Sequence, residues 1–196
     1  MLRRLPLSLL IAVAAAGISS AALAHPGHGG GPADGLIGGF AHPFTGVDHL
    51  LAMVAVGLWA SQLGRSALWT LPVVFPAMMV LGAALGTGGV VVPWIETGIL
   101  VSVVVLGAAV AFQLRMPLAI GAVVVGAFAV LHGFVHGAEL PADSSAWSYG
   151  LGFVAATLIL HGIGIGVGLF AQRPILARTA GGAIAALGLL LFVAPA

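Results

Sequence analysis

The sequence contains no cysteine and very little charge. Without cysteine the chain has no disulfide framework and no thiolate metal site, so a metal ion would need imidazole, carboxylate, thioether or backbone oxygen. Only 6% of the 196 residues are charged, the net charge is +1, and there is no basic cluster that would bind a phosphate backbone. A Walker A sequence is also missing. These absences argue against a disulfide-stabilised domain, a nucleic-acid-binding protein and an ATP-driven pump.

The sequence is instead rich in hydrophobic residues. They make up 61% of the chain, and the mean hydropathy is +1.21, well outside the range of soluble globular domains. We therefore predict an all-α, polytopic membrane helix bundle embedded in a lipid bilayer.

The amino-terminal residues have the pattern of a secretory signal peptide: two arginines, an apolar run and small residues at an A-x-A site. We expect residues 1–24 to be removed, which leaves His25 as an extracytoplasmic amino terminus. Residues 25–35 are rich in glycine and proline and predict a flexible lead. His25 and His28 either form a chelating pair with the free α-amine or are incidental residues of a solvated tail.

Six apolar segments follow, each near the roughly 20 residues that span a bilayer. We place them at 36–62, 67–86, 93–113, 117–137, 147–171 and 175–195, and we take 36–196 as one six-helix transmembrane domain. The remaining arginines fall in alternate connections, which the positive-inside rule assigns to the cytoplasm. These are Arg65, Arg115, Arg173 and Arg178. This pattern predicts a multi-pass protein of the inner (plasma) membrane with both termini extracytoplasmic.

The first segment is too long for a straight span, about 40 Å if wholly helical. Pro43 disfavours a helical conformation at His42, the residue before it. Thr45 and Asp48 have the spacing of an N-cap and its capping-box partner, so we expect the spanning helix to begin at Gly46. The segment should therefore break near this point, as the discontinuous helices of many transporters do.

The break brings candidate ligands to the mouth of the membrane. We expect His42 just before the spanning helix, and Asp48 and His49 in its first turns. Imidazoles inside a membrane are costly unless they are paired, which favours a functional role for His42 and His49. For Asp48 a capping role and a ligand role are compatible.

The fourth segment carries His132, His136 and Glu139 at positions i, i+4 and i+7, on one stripe of a helix. Two imidazoles one turn apart can bind one divalent ion, and a carboxylate one turn further extends the ligand set. The alternative is that the histidines form hydrogen bonds to neighbouring helices.

Two further residues are candidates of a different kind. Glu96, in the first turn of the third segment, is either a cation-attracting group or an ordinary partner of the helix dipole. His161 lies about 20 Å down the fifth segment, too deep to share a coordination shell with the outer ligands. We interpret it as a deeper relay point or a second site.

These segments resemble the HupE/UreJ family of hydrogenase and urease accessory membrane proteins, which are regarded as nickel or cobalt permeases. The resemblance covers the greater part of the mature chain. It rests on HPFTGVDHLLAM (42–53) and HGFVHGAE (132–139), with support from ETGILVS (96–102) and LHGIGIGVG (160–168). It implies metal handling by His42, Asp48, His49, His132, His136, Glu139 and, less directly, Glu96 and His161.

The resemblance also implies a function. Ni(II) or Co(II) would be the transported substrate, with no permanently bound cofactor, and a cytoplasmic metallochaperone would receive it for a hydrogenase or urease. One alternative is an intramembrane zinc-dependent hydrolase, which needs a closed ligand set with one open position. Another is a metal-delivery protein that does not transport. The separate position of His161 favours transport over hydrolysis.

Overall fold

The computed structural model of the protein describes residues 32–140, 145–170 and 174–193. The predicted signal peptide, His25, His28 and Arg173 lie outside these ranges. Within them the chain is all-helical and contains no strand. The described helices are α1 (Pro32–Thr45), α2 (Val47–Leu63), α3 (Ala67–Gly86), α4 (Ile95–Ala111), α5 (Leu118–Ala138), α6 (Ala146–Phe170) and α7 (Pro174–Val193).

The second to sixth apolar segments predicted from the sequence correspond to α3 through α7 within two residues, and the first, 36–62, covers most of α1 and α2. At the amino-terminal end the prediction needs a correction. Helix α1 begins at Pro32, so residues 32–35 belong to a helix and not to the flexible lead.

The helix lengths support a multi-pass membrane protein, but they support four or five spans and not the predicted six. Helices α3, α5, α6 and α7 are long and apolar enough to cross a bilayer, and α1 with α2 adds a fifth span if the bent pair is counted as one. Helix α4 is apolar but has only 17 residues, about 26 Å at the usual helical rise. It is therefore short for a complete crossing of the hydrocarbon.

The predicted break in the first segment is confirmed, because α1 and α2 meet at an angle of 77°. The predicted cap is wrong. Gly46 occupies the N-cap position of α2, without a capping bond from a side chain. The hydroxyl of Thr45 instead donates to the carbonyl of His42 at 3.0 Å, and Asp48 accepts a bond from its neighbour His49. Thr45 therefore bonds back into α1, and Asp48 bonds to the adjacent amide within the first turn of α2.

His42 precedes the spanning helix α2, as predicted, but the expectation that it lies on non-helical backbone is wrong. His42 lies in the last turn of α1, and Pro43 lies inside the same helix. The bias of proline against a helical neighbour is a local preference. Here packing of α1 along α6 extends the helix past it until Gly46 ends the run.

Glycine pairs set the helix positions in this bundle. A Cβ atom at any of these glycines would overlap the backbone of the neighbouring helix, so the helices approach at the closest distance that glycine permits. The glycines are Gly39 and Gly152 between α1 and α6, Gly57 and Gly164 between α2 and α6, Gly82, Gly86, Gly133 and Gly137 between α3 and α5, and Gly107 and Gly181 between α4 and α7. The histidine-bearing helices α1, α2, α5 and α6 are thereby held in fixed positions.

Two side chains near the end of α2 show which ends of the helices lie together. Trp59 Nε1 donates to the carbonyl of Leu114 at 3.0 Å, and Gln62 Nε2 donates to that of Val110 at 3.2 Å. The end of α2 therefore lies beside the end of α4, and the exposed residues Arg65 and Arg115 follow these two helices. Both arginines lie at the end opposite the start of α2.

Candidate metal site

Three histidines from three helices meet at the start of α2. His42 comes from α1, His49 from α2 and His136 from α5, and one ring nitrogen from each lies within 4.8 Å of the other two. The Nε2 atoms of His49 and His136 are 2.7 Å apart, and the rings of His42 and His136 have centroids 4.7 Å apart. We call these three residues the histidine cluster.

Asp48 orients one member of the cluster. Its Oδ1 atom lies 2.7 Å from Nδ1 of His49 and also accepts the backbone N–H of His49 at 2.8 Å. When Nδ1 donates to this carboxylate, Nε2 of His49 presents a lone pair to His136. A carboxylate behind an imidazole in this way is the usual support of a metal-ligating histidine, because it fixes the ring and its tautomer.

The short contact between His49 and His136 has a chemical consequence. Two imidazole nitrogens at 2.7 Å share a proton, so Nε2 of His136 donates to Nε2 of His49 when Asp48 holds the other ring proton. A metal ion bound at this point would take the place of that proton. That proton must then move to Nδ1 of His136 or leave the site, because a ligating nitrogen cannot keep its proton.

His132 lies one turn from His136 on α5 but makes a different contact. Its Nε2 atom is 2.9 Å from the hydroxyl of Ser102 on α4. That hydroxyl donates to the carbonyl of Ile99 at 2.6 Å, so it must accept the proton of His132 Nε2. The Nδ1 atom of His132 then carries a lone pair, and it has no partner among the described residues.

His132 therefore makes a hydrogen bond to a neighbouring helix, which is the alternative to metal binding that the sequence left open. Its ring remains near the histidine cluster, with a centroid 4.9 Å from that of His49. It is not one of the three residues whose nitrogens converge.

Aromatic side chains of α6 close one side of the cluster. The ring of Phe153 has its centroid 4.4 Å from His136 and 5.8 Å from His42, and Tyr149 lies 6.2 Å from His42. His49 and His136 are buried, whereas His42 and Asp48 are half-buried. The cluster is thus an apolar-walled site that is open on the side of His42 and Asp48.

The two predicted glutamates lie outside the cluster. Glu139 is the C-cap residue of α5, three residues after His136, and Glu96 lies in the first turn of α4. Both are exposed. The stripe of His132, His136 and Glu139 is therefore present along α5, but its members have different surroundings and only His136 belongs to the cluster.

His161 is separate from the cluster, as the sequence predicts. It follows Phe153 by eight residues, which is about 12 Å along α6. It is fully buried, and its ring lies 5.1 Å from that of Phe75.

Sequence analysis assigned no role to Ser102, Phe75 or Phe153. Ser102 had a detectable signal, because a buried hydroxyl in an apolar helix usually bonds to something other than its own backbone. The two phenylalanines had none, since an aromatic residue in an apolar segment is ordinarily packing.

Comparison with known proteins agrees with this picture. Residues 13–191 match the model of a family described as HupE / UreJ protein. The chain is similar to Protein HupE of Rhizobium leguminosarum bv. viciae, with 46% identity over 181 residues that cover 91% of this chain and 94% of the relative. No solved structure matches the chain.

Proposed function

Because the chain belongs to the HupE/UreJ family, we propose that it is a permease for Ni(II), with Co(II) as a second substrate. It would take up the ion from the extracytoplasmic side and supply a metalloenzyme such as a hydrogenase or urease. The observation that carries this proposal is the convergence of three imidazole nitrogens within 4.8 Å in a membrane helix bundle.

The ligand chemistry supports a transition-metal cargo. Imidazole binds nickel, cobalt, zinc and copper, whereas magnesium and calcium prefer oxygen. The absence of cysteine and the burial of Met53 and Met79 in the apolar core disfavour a copper(I) site. The family resemblance is what selects nickel and cobalt among the remaining ions.

Each residue of the site has a part in this mechanism. Exposed Glu96 and Glu139 attract cations to the mouth. Asp48 holds His49 with a lone pair directed at the incoming ion, which displaces the proton between His49 and His136. His42, which is half-buried, completes the set of nitrogen ligands and replaces part of the ion's water.

The positions of the arginines indicate which side of the membrane the histidine cluster faces. The described connections that bear Arg65 and Arg115 lie at the end opposite the histidine cluster, and the positive-inside rule assigns arginine-bearing connections to the cytoplasm. We therefore place the cluster at the extracytoplasmic face of the inner membrane, and we count α1 with α2 and the short α4 among six spans. A cytoplasmic metallochaperone would receive the ion.

One observation favours a second candidate. Three histidines with a carboxylate behind one of them are also the ligands of some hydrolytic zinc sites. That reading predicts a tightly held zinc ion in stoichiometric amount and hydrolysis within the membrane. The permease predicts an ion that exchanges readily and crosses the bilayer.

Uptake into sealed proteoliposomes tests the proposal. The wild type should accumulate radiolabelled nickel, excess Co(II) should compete, and Mg(II) should not. His49→Ala and His136→Ala should abolish accumulation, with equal amounts of protein in the vesicles. Thr179→Ala is the matched control, because its exposed hydroxyl bonds only within α7. Unchanged uptake in both histidine variants would refute the site, and metal binding without uptake would indicate a delivery protein.

A further inference from the structure

His161 is a buried imidazole without a hydrogen-bond partner. It is 0% exposed, and neither of its ring nitrogens has a partner among the described residues. Leaving a buried polar group unsatisfied costs about 1–3 kcal/mol, and buried polar groups in proteins are normally bonded to protein, water or an ion. A neutral imidazole has one donor and one acceptor, so this ring can take two partners.

A second unsatisfied polar group lies beside it on the same helix. Thr157 is also 0% exposed, and its Oγ1 atom has no partner among the described residues. It precedes His161 by four residues, so both side chains lie on one face of α6. A threonine in a membrane helix can satisfy its hydroxyl on the preceding turn, and here it does not.

Phe75 separates this pair from the outer histidines. Its ring centroid lies 5.8 Å from that of His132 and 5.1 Å from that of His161. The Nδ1 atom of His132 is itself without a partner in the described ranges. Unsatisfied polar groups therefore lie on both sides of one fully buried aromatic ring.

The depth of His161 is fixed by helix packing. A Cβ at Gly57 would overlap the carbonyl oxygen of His161, so α2 contacts α6 through the backbone at this level. Gly57 follows His49 by eight residues, which is about 12 Å of helix. His161 follows Phe153 on α6 by the same number, and Phe153 packs against the cluster. Both helices thus place His161 about 12 Å below the cluster along the helix axes.

We propose that His161 and Thr157 form an inner station for a partly hydrated divalent transition-metal ion. The imidazole would supply one ligand, the hydroxyl of Thr157 would bind the ion or one of its waters, and the ion would arrive from the histidine cluster past Phe75. This inference rests on the proposed function and adds a second site to it. One imidazole binds more weakly than three, which is what a path requires if each ion is to leave again.

Equilibrium binding of radiolabelled nickel to the purified full-length protein tests the inner station. The wild type should bind two ions per chain, one tightly and one weakly. His161→Gln fills the same space and keeps a hydrogen-bonding group without the imidazole, so it should lose the weakly bound ion and keep the tight one. Its nickel uptake in proteoliposomes should fall at least tenfold. Gly162→Ala is the control, because a Cβ at this position meets no atom within 4 Å.

The outcomes separate this inference from the proposed function. A single ion per wild-type chain, or a weakly bound ion that persists in His161→Gln, overturns the inner station whatever the uptake result. Two ions that behave as predicted in a protein that never carries nickel across a vesicle refute the permease and leave the station standing. If His161→Gln fails to fold, Thr157→Val decides: weaker binding of the second ion by several-fold supports the station, and unchanged binding overturns it.

Discussion

The histidine cluster and the region around His161 differ in how their polar groups are satisfied. In the cluster, His49 contacts both Asp48 and His136 at 2.7 Å. Around His161, both ring nitrogens and the hydroxyl of Thr157 lack a partner among the described residues. The side chains of the cluster are therefore ordered by hydrogen bonds without a bound ion, whereas the polar groups around His161 would be satisfied only by water or an ion. In the proposed permease, the first region would bind the ion tightly and the second would bind it weakly.

The two regions also differ in what holds them in place. The cluster lies where α1, α2 and α5 end or begin, and its geometry depends on side-chain hydrogen bonds. His161 lies in the middle of α6, where glycines bring backbone against backbone. Substitutions should therefore affect the cluster through ligand orientation and the inner region through helix spacing.

Asp48→Asn should have the largest effect, because it weakens the group that orients the cluster. The amide keeps the shape but loses the charge that favours the required tautomer of His49. Loss of such a supporting carboxylate typically lowers metal affinity by about 10–100-fold. Nickel binding should show this loss in the tightly bound ion while the weakly bound ion at His161 is retained. Equal weakening of both ions would mean that the two regions are not separate.

Gly57→Ala should disturb the inner region through packing alone. The added methyl group would overlap the backbone of α6 at His161 and Gly164, so the helices must separate. Overpacking of this kind destabilises a protein by about 1–3 kcal/mol. Thermal unfolding in detergent should shift to lower temperature, and nickel uptake should fall several-fold because the backbone at His161 is displaced. Gly162→Ala, which adds the same methyl group in open space, should change neither.

Ser102→Ala should give an intermediate effect at the residue that lies between the two regions. It leaves Nε2 of His132 without the hydroxyl that accepts its proton. Because Nδ1 already has no partner among the described residues, neither nitrogen of this fully buried ring would then be bonded. The expected cost is about 1–3 kcal/mol of stability, with uptake reduced several-fold and metal binding at the cluster largely kept.

The control for Ser102→Ala is Ser148→Ala, whose hydroxyl bonds, among the described residues, to exposed Ser145. This variant should match the wild type in thermal unfolding and in uptake. A Ser102→Ala protein that is as stable as Ser148→Ala would show that the bond to His132 contributes nothing.

Gly46→Ala should produce the smallest of these changes. A methyl group here would lie 3.1 Å from Nδ1 of His49 and 3.3 Å from Oδ1 of Asp48, so the pair must shift by a few tenths of an ångström. We expect about a twofold loss of nickel affinity, which corresponds to about 0.5 kcal/mol, the lower end of the cost of an off-optimum rotamer. Gly38→Ala on α1 has open space around it and should have wild-type affinity. Identical affinities for the two variants would show that the cluster tolerates this displacement.

Sequence reasoning predicted the cluster because two simple rules apply to it. Segment length required a break near Gly46, which the structure has, and alternating helix direction brings the start of the first span to the same end as the end of the fourth. His49 and His136 had to be neighbours in height, and the cost of solitary imidazoles in a membrane favoured their contact.

The details that the sequence did not predict depend on choices between similar energies. Thr45 could cap α2, which is typically worth about 1 kcal/mol, or bond back to the carbonyl of His42, which it does. Asp48 likewise bonds to His49 and does not complete a capping box with Thr45. The position of Phe75 beside His132 and His161 depends on how α3 is rotated against α5 and α6, which the glycine contacts determine and hydropathy does not.

X-ray absorption spectroscopy at the nickel edge, on full-length protein loaded with one ion per chain, tests the histidine cluster most directly. We predict scattering from three imidazoles with oxygen or nitrogen completing the shell, and loss of this signal in His49→Ala. A nickel ion surrounded by oxygen alone, or an imidazole signal that is the same in His49→Ala, would contradict the assignment of the cluster as the metal site.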